Sequence, residues 1–394
     1  MKSKRVYTAQ QRRDLVTAVE RSGQSMQSQI ARLGIDRKTA YRWIERYRQY
    51  GLEGLLTRSS RPHQQAGQLP PHVVERLMQM RRRHPTWGPK KLSTLLFKGV
   101  RKKHRYSVRT MGRWLRRHGL SHKMRHRALP GPKMLIQGLT TPSKPHDVWT
   151  IDFKGWTRTS DGKRWDPLTI RDLYSRMILL VQLLPNQSEE GVRPVMQRLF
   201  GKHGLPRIIR VDNGSPFGGR GPMGLTVLSL WWRRLGIQVE FTRRASPQDN
   251  GAHEQFHRVY KAEVFNRKAS HGPALQSRSN HWIHHYNHQR PHESLSQIPP
   301  ARFYRKNPRS YRPLSPFSYP QDWKIVRVTS KGYIRWKGRI RLISQITGGL
   351  RIGLKLHSKG YSQVYVDSIL IGTLYPLDKA GMRPAKLVRK PNAM

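Results

Sequence analysis

The stretch DVWTIDFKG (147–155), followed by LTIRDLYSR (168–176) and MILLVQLLP (177–185), reads as three short strands. β-Branched, aromatic and aliphatic residues dominate them, and the turn TSDGKRW (159–165) parts the first two. SEEGVRPVMQRLFGKHG (188–204) then reads as a helix, PRIIRVDNG (206–214) as a strand, LTVLSLWWRRLG (225–236) as a helix and IQVEFTR (237–243) as a fifth strand. SPQDNGAHEQFHRVYKAEVF (246–265) is an entry loop and a helix. A meander of three strands, then helices alternating with strands, predicts an α/β layer fold around a mixed sheet.

Acidic residues concentrate in this part of the chain. Residues 146–310 hold 13 of the 22 Asp and Glu, although the chain as a whole avoids acids. Asp152 sits inside the first strand, and Asp212 ends the fourth, just before Asn213-Gly214. Glu254 falls in the first turns of the helix that opens after Asn250-Gly251. A carboxylate in an apolar strand is costly unless it meets a cation or a donor. Hard divalent ions such as Mg²⁺ take carboxylate oxygens, and two of them can activate a nucleophile and stabilise the leaving oxygen of a phosphodiester. Spacing alone is weak support, since any sheet has acids near its strand ends.

Outward from this centre the charge is extreme. The 394 residues carry 76 Lys and Arg, giving a net charge of +54 that is spread over the whole length: +28 before residue 146, +13 to residue 310 and +13 beyond. Clustered basic residues gain from phosphate neutralisation and counterion release, so double-stranded nucleic acid is the expected partner. The 11 Trp and 36% hydrophobic residues exclude a merely solvating basic tail. The absence of Cys excludes disulfides, thiolate zinc sites and Cys nucleophiles. The apolar run MILLVQLL (177–184) is far too short to span a bilayer, and the N-terminus lacks an apolar signal core. A cytoplasmic protein without membrane contact is expected.

The N-terminal third reads as two small all-α units. In the first, residues 1–58, AQQRRDLVTAVERSG (9–23) is capped by Thr8, MQSQIARLG (26–34) stops at Gly34, and Asp36 caps the helix to Tyr50. This is a helix-turn-helix pattern with Ile30, Leu33, Ile35, Ala40 and Ile44 inside; Arg37, Lys38 and Arg42 begin the third helix, where DNA contacts are made. Residues 59–69 are a linker; the neighbouring RSSRP (58–62) suits a minor-groove arm or plain linker equally. The second unit, 70–120, presents Arg109, Arg113, Arg116 and Arg117 on a helix that starts after Ser107 and stops at Gly119. A basic linker (121–146) leads to the α/β region. For the first unit the plain alternative is a solvated basic helix face.

Four segments, WTIDFKG (149–155), RVDNGSPF (210–217), SPQDNGAHEQFHRVYKAE (246–263) and WIHHYNHQRPHESLSQIPPARFY (282–304), occur in the order found in bacterial insertion-sequence transposases with a retroviral-integrase-type core. The chain resembles that family over residues 147–304. The resemblance implies a ribonuclease-H-like fold and an Asp-Asp-Glu (DDE) triad, falling on Asp152, Asp212 and Glu254, that holds two Mg²⁺ ions, with Mn²⁺ as a substitute. It implies cleavage at the 3′ ends of a mobile element, attack of the freed 3′-OH on target DNA, a homo-oligomer on DNA, and association with the nucleoid. Between Asp212 and Glu254 stand 41 residues, more than the family's usual spacing; the excess is assigned to GGRGPMG (218–224) as a surface loop. Pro216 also stands where the family often has an acid. Arg258 and Lys261 lie one and two turns after Glu254, positions that contact element-end DNA in the family; an ordinary Glu–Arg helix pair is the other reading. His257 is placed on the flank rather than as a base, Asn250 and Gly251 as loop formers, and Asp249 as the substitute should Glu254 fail.

His281, His284, His285 and His288 follow helical spacing, but without Cys they are read as packing residues, not a zinc site. Asp147, Asp161, Asp166 and Asp172 are read as turn or capping residues. After a Pro-rich linker (305–320), residues 321–394 alternate apolar and polar residues between Gly turns and suggest a small all-β barrel, SH3-like by resemblance, with Arg335, Lys337, Arg339 and Arg341 exposed along one strand face. Two alternatives to the transposase stay open: a catalytically silent DNA-binding regulator derived from one, and a nonspecific nuclease.

Overall fold

A computed structural model describes residues 7–21, 23–57, 69–121, 138–242 and 251–386. The RSSRP arm, the linker to residue 68, most of the linker before the core, Asp249 and Asn250 lie outside the described residues.

The chain divides into a unit of residues 1–68 and a unit of residues 69–394. In the first, α1 (Ala9–Val16) opens with a capping box between Thr8 and Gln11 and runs into one π turn, Thr17–Arg21. Gly34, at φ 60°, closes α2 (Met26–Leu33), and the Asp36 side chain accepts from Thr39 N–H to start α3 (Arg37–Tyr50). Ile35, Ala40 and Ile44 are buried as expected, joined by Leu15, Val16, Trp43 and Leu55; Ile30 and Leu33 are half-buried.

The second unit begins with three more helices. They are α4 (Pro71–Arg83), α5 (Pro89–Leu96) and α6 (Val108–Arg117), the last capped by Ser107. Leu77, Trp87, Leu92, Met111 and Leu115 form their core.

A six-stranded mixed sheet follows. It consists of β1 (Val148–Phe153), β2 (Thr157–Arg158), β3 (Arg164–Asp172), β4 (Ile178–Leu184), β5 (Ile208–Val211) and β6 (Gln238–Phe241). β1, β3 and β4 pair antiparallel as a meander, and β5 and β6 add in parallel beyond β1. Residues of α7 (Glu189–His203) and α8 (Val227–Arg234), among them Met196, Phe200, Trp231 and Trp232, join one apolar cluster with the sheet. α9 (Gly251–Val264) and α10 (Gly272–His288) contribute Phe256, Tyr260, Val264 and Trp282 to a second, built on Ile178, Val181 and Leu183 of β4. Because each strand of the meander alternates its side chains, one sheet can be covered by a helix layer on either face.

Two expectations change in detail. GGRGPMG is not simply a surface loop: Pro222 is buried, Gly218 bridges Leu225, and any Cβ on Gly221 would press on Ile346 of the C-terminal region. The segment 305–320 lacks regular structure but is tied to the core, with Asn307 Nδ2 donating to Leu205 O (2.7 Å) and Arg309 to Pro206 O (2.9 Å).

The C-terminal region is all-β. β7 (Lys324–Arg327), β10 (Arg351–Leu356), β11 (Ser362–Val366), β12 (Ile369–Leu374) and β13 (Arg383–Pro384) form a five-stranded antiparallel sheet, and β8 (Tyr333–Trp336) with β9 (Arg339–Leu342) forms a hairpin. The described strands form these two separate sheets. The expected row of exposed cations is also corrected. Lys337 (φ 48°) and Gly338 (φ 73°) make a two-residue turn of the I′ kind. Residues facing each other across that ladder share a side, so Arg341 lies opposite buried Ile334 and Ile340 opposite exposed Arg335. Arg341 is accordingly 3% exposed, donating to Asp378 O and Pro376 O, while Ile340 is 74% exposed.

Candidate active site

β1 and β5 run parallel, and their last registered pair is Thr150 with Arg210. Two residues on stand Asp152, inside β1, and Asp212, just past the end of β5, so the shared register delivers both carboxylates to the same end of adjacent strands, which lie about 4.8 Å apart. Asp152 is half-buried and Asp212 reaches solvent. Surrounding atoms nonetheless desolvate Asp212 enough to raise its carboxyl above the ordinary range, against opposing hydrogen bonds from its own backbone N–H and that of Gly214. An added Cβ at Gly214 would come within 3.0 Å of Asp212 Oδ2, so glycine leaves that carboxylate room.

Glu254 sits exposed in the first turn of α9. Its neighbour His253, 1% exposed, pins that turn to the sheet: Nδ1 lies 2.8 Å from Thr150 Oγ1 of β1, and Nε2 lies 2.7 Å from Thr169 Oγ1 of β3. One turn on, His257 Nε2 lies 2.8 Å from the same Thr169 Oγ1, and its Nδ1 lies 3.9 Å from Asp152 Oδ2. Thr169 itself faces Asp152 in the β1–β3 register and donates to Asp152 O at 2.9 Å. Ligand atoms of Asp152, His253 and His257 all fall within 4.8 Å of one another. Burial, then Lys154 and Arg171, push the His257 imidazole down to about 3, and burial lowers His253 well below its ordinary value, so both rings are neutral at physiological pH. His257, placed on the helix flank from the sequence, thus faces inward beside Asp152.

Around this centre the surface is basic. Arg258 and Lys261 are exposed on α9. Lys154, two residues past Asp152, is lowered mainly by burial and next by Lys261, with Asp152 opposing. Sequence reading passed over Lys154, although its i+2 position after a strand carboxylate was the available signal. Within the first unit by itself, Arg37, Lys38 and Arg42 are exposed at the start of α3; on α6 of the second unit, Arg109, Arg113 and Arg116 are exposed. The four histidines of α10 are engaged elsewhere: His285 stacks against His84 and meets the Trp87 ring at a tilt, His284 and His288 pack at a tilt, and His281 Nδ1 contacts Ser277 O. Asp147 and Asp172 accept from the backbone N–H groups of Ser143 and Ser175 as turn residues should, and Asp161 accepts from Lys163 N–H. Asp166 is instead interior to β3, held by Arg164 and Gln187.

The far end of α9 meets the preceding helices. Glu263 accepts from Arg290 (2.7 Å), from Trp282 Nε1 (2.7 Å) and from Thr86, which lies between α4 and α5. Arg290 in turn lies 5.5 Å from the Trp87 ring, and Lys90 pairs with Glu293 at 2.6 Å.

Models of the integrase core domain match residues 142–247 and 235–300 of this chain, a helix-turn-helix domain matches 11–63 and a homeodomain-like domain matches 39–115. An uncharacterized 31.7 kDa protein of insertion element IS407 from Burkholderia multivorans is 25% identical over 240 residues, 60% of this chain and 81% of that one. The integrase core, the helix-turn-helix domains and the insertion-element relatives together support a bacterial insertion-sequence transposase with an integrase-type core. A 39.2 kDa protein of element IS476 from Xanthomonas euvesicatoria is 29% identical to this transposase over 169 residues, 42% of the chain and 46% of the relative. Among solved structures, the magnesium complex of the HTLV-2 integrase catalytic core is 14% identical (TM-score 0.31), covering 42% of this chain and all of that one. A simian T-cell lymphotropic virus intasome covers 78% of the transposase and 95% of its own chain at 12% identity and a TM-score of 0.37. No helix among the described residues of the transposase is long and apolar enough to cross a membrane.

Proposed function

We propose that this transposase binds the ends of a mobile DNA element, cleaves at their 3′ ends and transfers the freed 3′-OH to target DNA. The observation that carries this is the delivery of Asp152 and Asp212 by one parallel strand pair, with the Glu254 turn tied to Thr150 of the same strand. These residues suit hard divalent ions: the donors are carboxylate oxygens, Gly214 leaves space beside one of them, and desolvation makes Asp212 a group that gains from a cation. Asp152, Asp212 and Glu254 would hold two Mg²⁺ or Mn²⁺ ions, which when bound polarise the scissile phosphate and activate the attacking oxygen.

The chain's own groups do the rest. The His253 clamp on Thr150 and Thr169 fixes where Glu254 begins. Lys154, Arg258 and Lys261 meet the phosphates flanking the cleaved bond. Residues 1–58 and 70–120 read the element end through Arg37, Lys38, Arg42, Arg109, Arg113 and Arg116, ahead of a catalytic core at 147–304 and a C-terminal β region from 321. Joining two ends calls for at least two copies on DNA, in the bacterial nucleoid.

Purified protein with Mg²⁺ cleaves an end-bearing duplex, and Asp152→Asn, Asp212→Asn and Glu254→Gln each lower cleavage at least about a thousandfold while keeping DNA binding. Full cleavage by all three variants contradicts the assignment. A wild type that binds ends and never cleaves marks the silent regulator instead.

A further inference from the structure

Thr169 has one hydroxyl proton and three polar neighbours. The carbonyl of Asp152, 2.9 Å away, can only accept, so the proton goes there. Both imidazoles must then donate to Thr169 Oγ1, each through Nε2–H, and both tautomers are fixed by this partnership. His253 Nδ1 accepts from the Thr150 hydroxyl, which uses up that ring. His257 is different. Its Nδ1 lies 3.9 Å from Asp152 Oδ2, beyond hydrogen-bond reach, and the ligand atoms of Asp152, His253 and His257 fall within 4.8 Å of one another. With bonds of about 2.1 Å, two ligands of one ion stand at most about 4.2 Å apart, and 3.9 Å falls inside that limit.

We propose that His257 Nδ1 is a further ligand of the ion held by Asp152, with Thr169 as the outer hydrogen bond that orients it. The inference rests on the carboxylate reading above and adds a nitrogen to its oxygen donor set. An imidazole nitrogen penalises Mg²⁺, which dehydrates reluctantly and takes oxygen ligands, more than Mn²⁺, so the Asp152 ion site prefers Mn²⁺ to Mg²⁺ more strongly than carboxylates alone would. His253 belongs to the clamp and not to the ion.

Full-length protein loaded with Mn²⁺ alone is examined by electron spin-echo envelope modulation, unlabelled and with [¹⁵N]histidine. The wild type is expected to show ¹⁴N modulation that labelling converts to ¹⁵N. Because the chain has 18 histidines, the signal counts only if Asp152→Asn removes it. His257→Gln should also remove it, raise the Mn²⁺ Kd about tenfold and narrow the Mn²⁺ over Mg²⁺ preference. If His257→Gln does not fold, the labelled wild type and Asp152→Asn still decide. Bound Mn²⁺ that Asp152→Asn displaces, with no nitrogen modulation in the wild type, overturns the histidine ligand and leaves the carboxylates as ligands. No Mn²⁺ dependent on Asp152 overturns both.

Discussion

At the scale of single residues, Thr169 shows how much depends on one hydroxyl. It serves two buried imidazoles and a carbonyl, so Thr169→Val, close in shape, leaves two N–H donors and one carbonyl without that partner. Stability should fall by about 2–3 kcal/mol in urea titration, more than an apolar-for-hydroxyl exchange on the surface would cost. Asp212 is the opposite case. It is held partly desolvated at a cost, so Asp212→Asn should leave the metal-free Tm equal or slightly higher while abolishing the Tm rise on adding Mg²⁺. The places of Asp152, Asp212 and Glu254 on or beside their elements were legible because each lies in a motif with a strand or helix reading of its own. The histidine–threonine network was not, since Thr169 stands 84 residues before His253 and 88 before His257. Only their i, i+4 spacing beside Phe256 and Tyr260 hinted that they face inward.

At the scale of elements, α9 joins two sets of contacts. Glu254 opens it, and Glu263, nine residues on or about 13 Å along the axis, receives Arg290, Trp282 and Thr86. Arg290 is 3% exposed, so Glu263→Gln strands a buried guanidinium and should cost about 3 kcal/mol, measured by chemical denaturation. The β8–β9 hairpin carries a smaller test. Gly338 has open space around it and φ 73°, so Gly338→Ala should cost about 1 kcal/mol from backbone strain alone. Strand and helix order in the core was readable from alternation, caps and Gly stops. The hairpin's facing was not: a two-residue turn reverses which parity points inward, and periodicity carries no turn length. The place of GGRGPMG escaped for a similar reason, since its packing partner Ile346 lies in another region of the chain.

At the scale of the whole molecule, net charge and buried neutral groups set the response to salt and acid. With a charge of +54, end binding should weaken linearly in log–log salt titration; replacing Arg37, Lys38 and Arg42 by Ala should reduce the slope by up to about 3. Burial holds His203 and His292 down to about 4 in the folded chain, against about 6.5 when unfolded. Between those values the unfolded state binds more protons, so stability is full above about pH 6.5 and declines as pH falls toward 4. Glu263 and Asp147, lowered in the fold, extend the loss below their unfolded values. Thermal melts at pH 7, 6, 5 and 4 should therefore fall monotonically. The central claim, that carboxylates of β1, β5 and α9 hold ions against a phosphodiester, is tested most directly by sulfur substitution of a non-bridging oxygen at the scissile phosphate. Cleavage of that substrate should fail in Mg²⁺ and recover in Mn²⁺, which tolerates the softer ligand. Equal cleavage of the sulfur and oxygen substrates in Mg²⁺, or loss that Mn²⁺ does not restore, would contradict it.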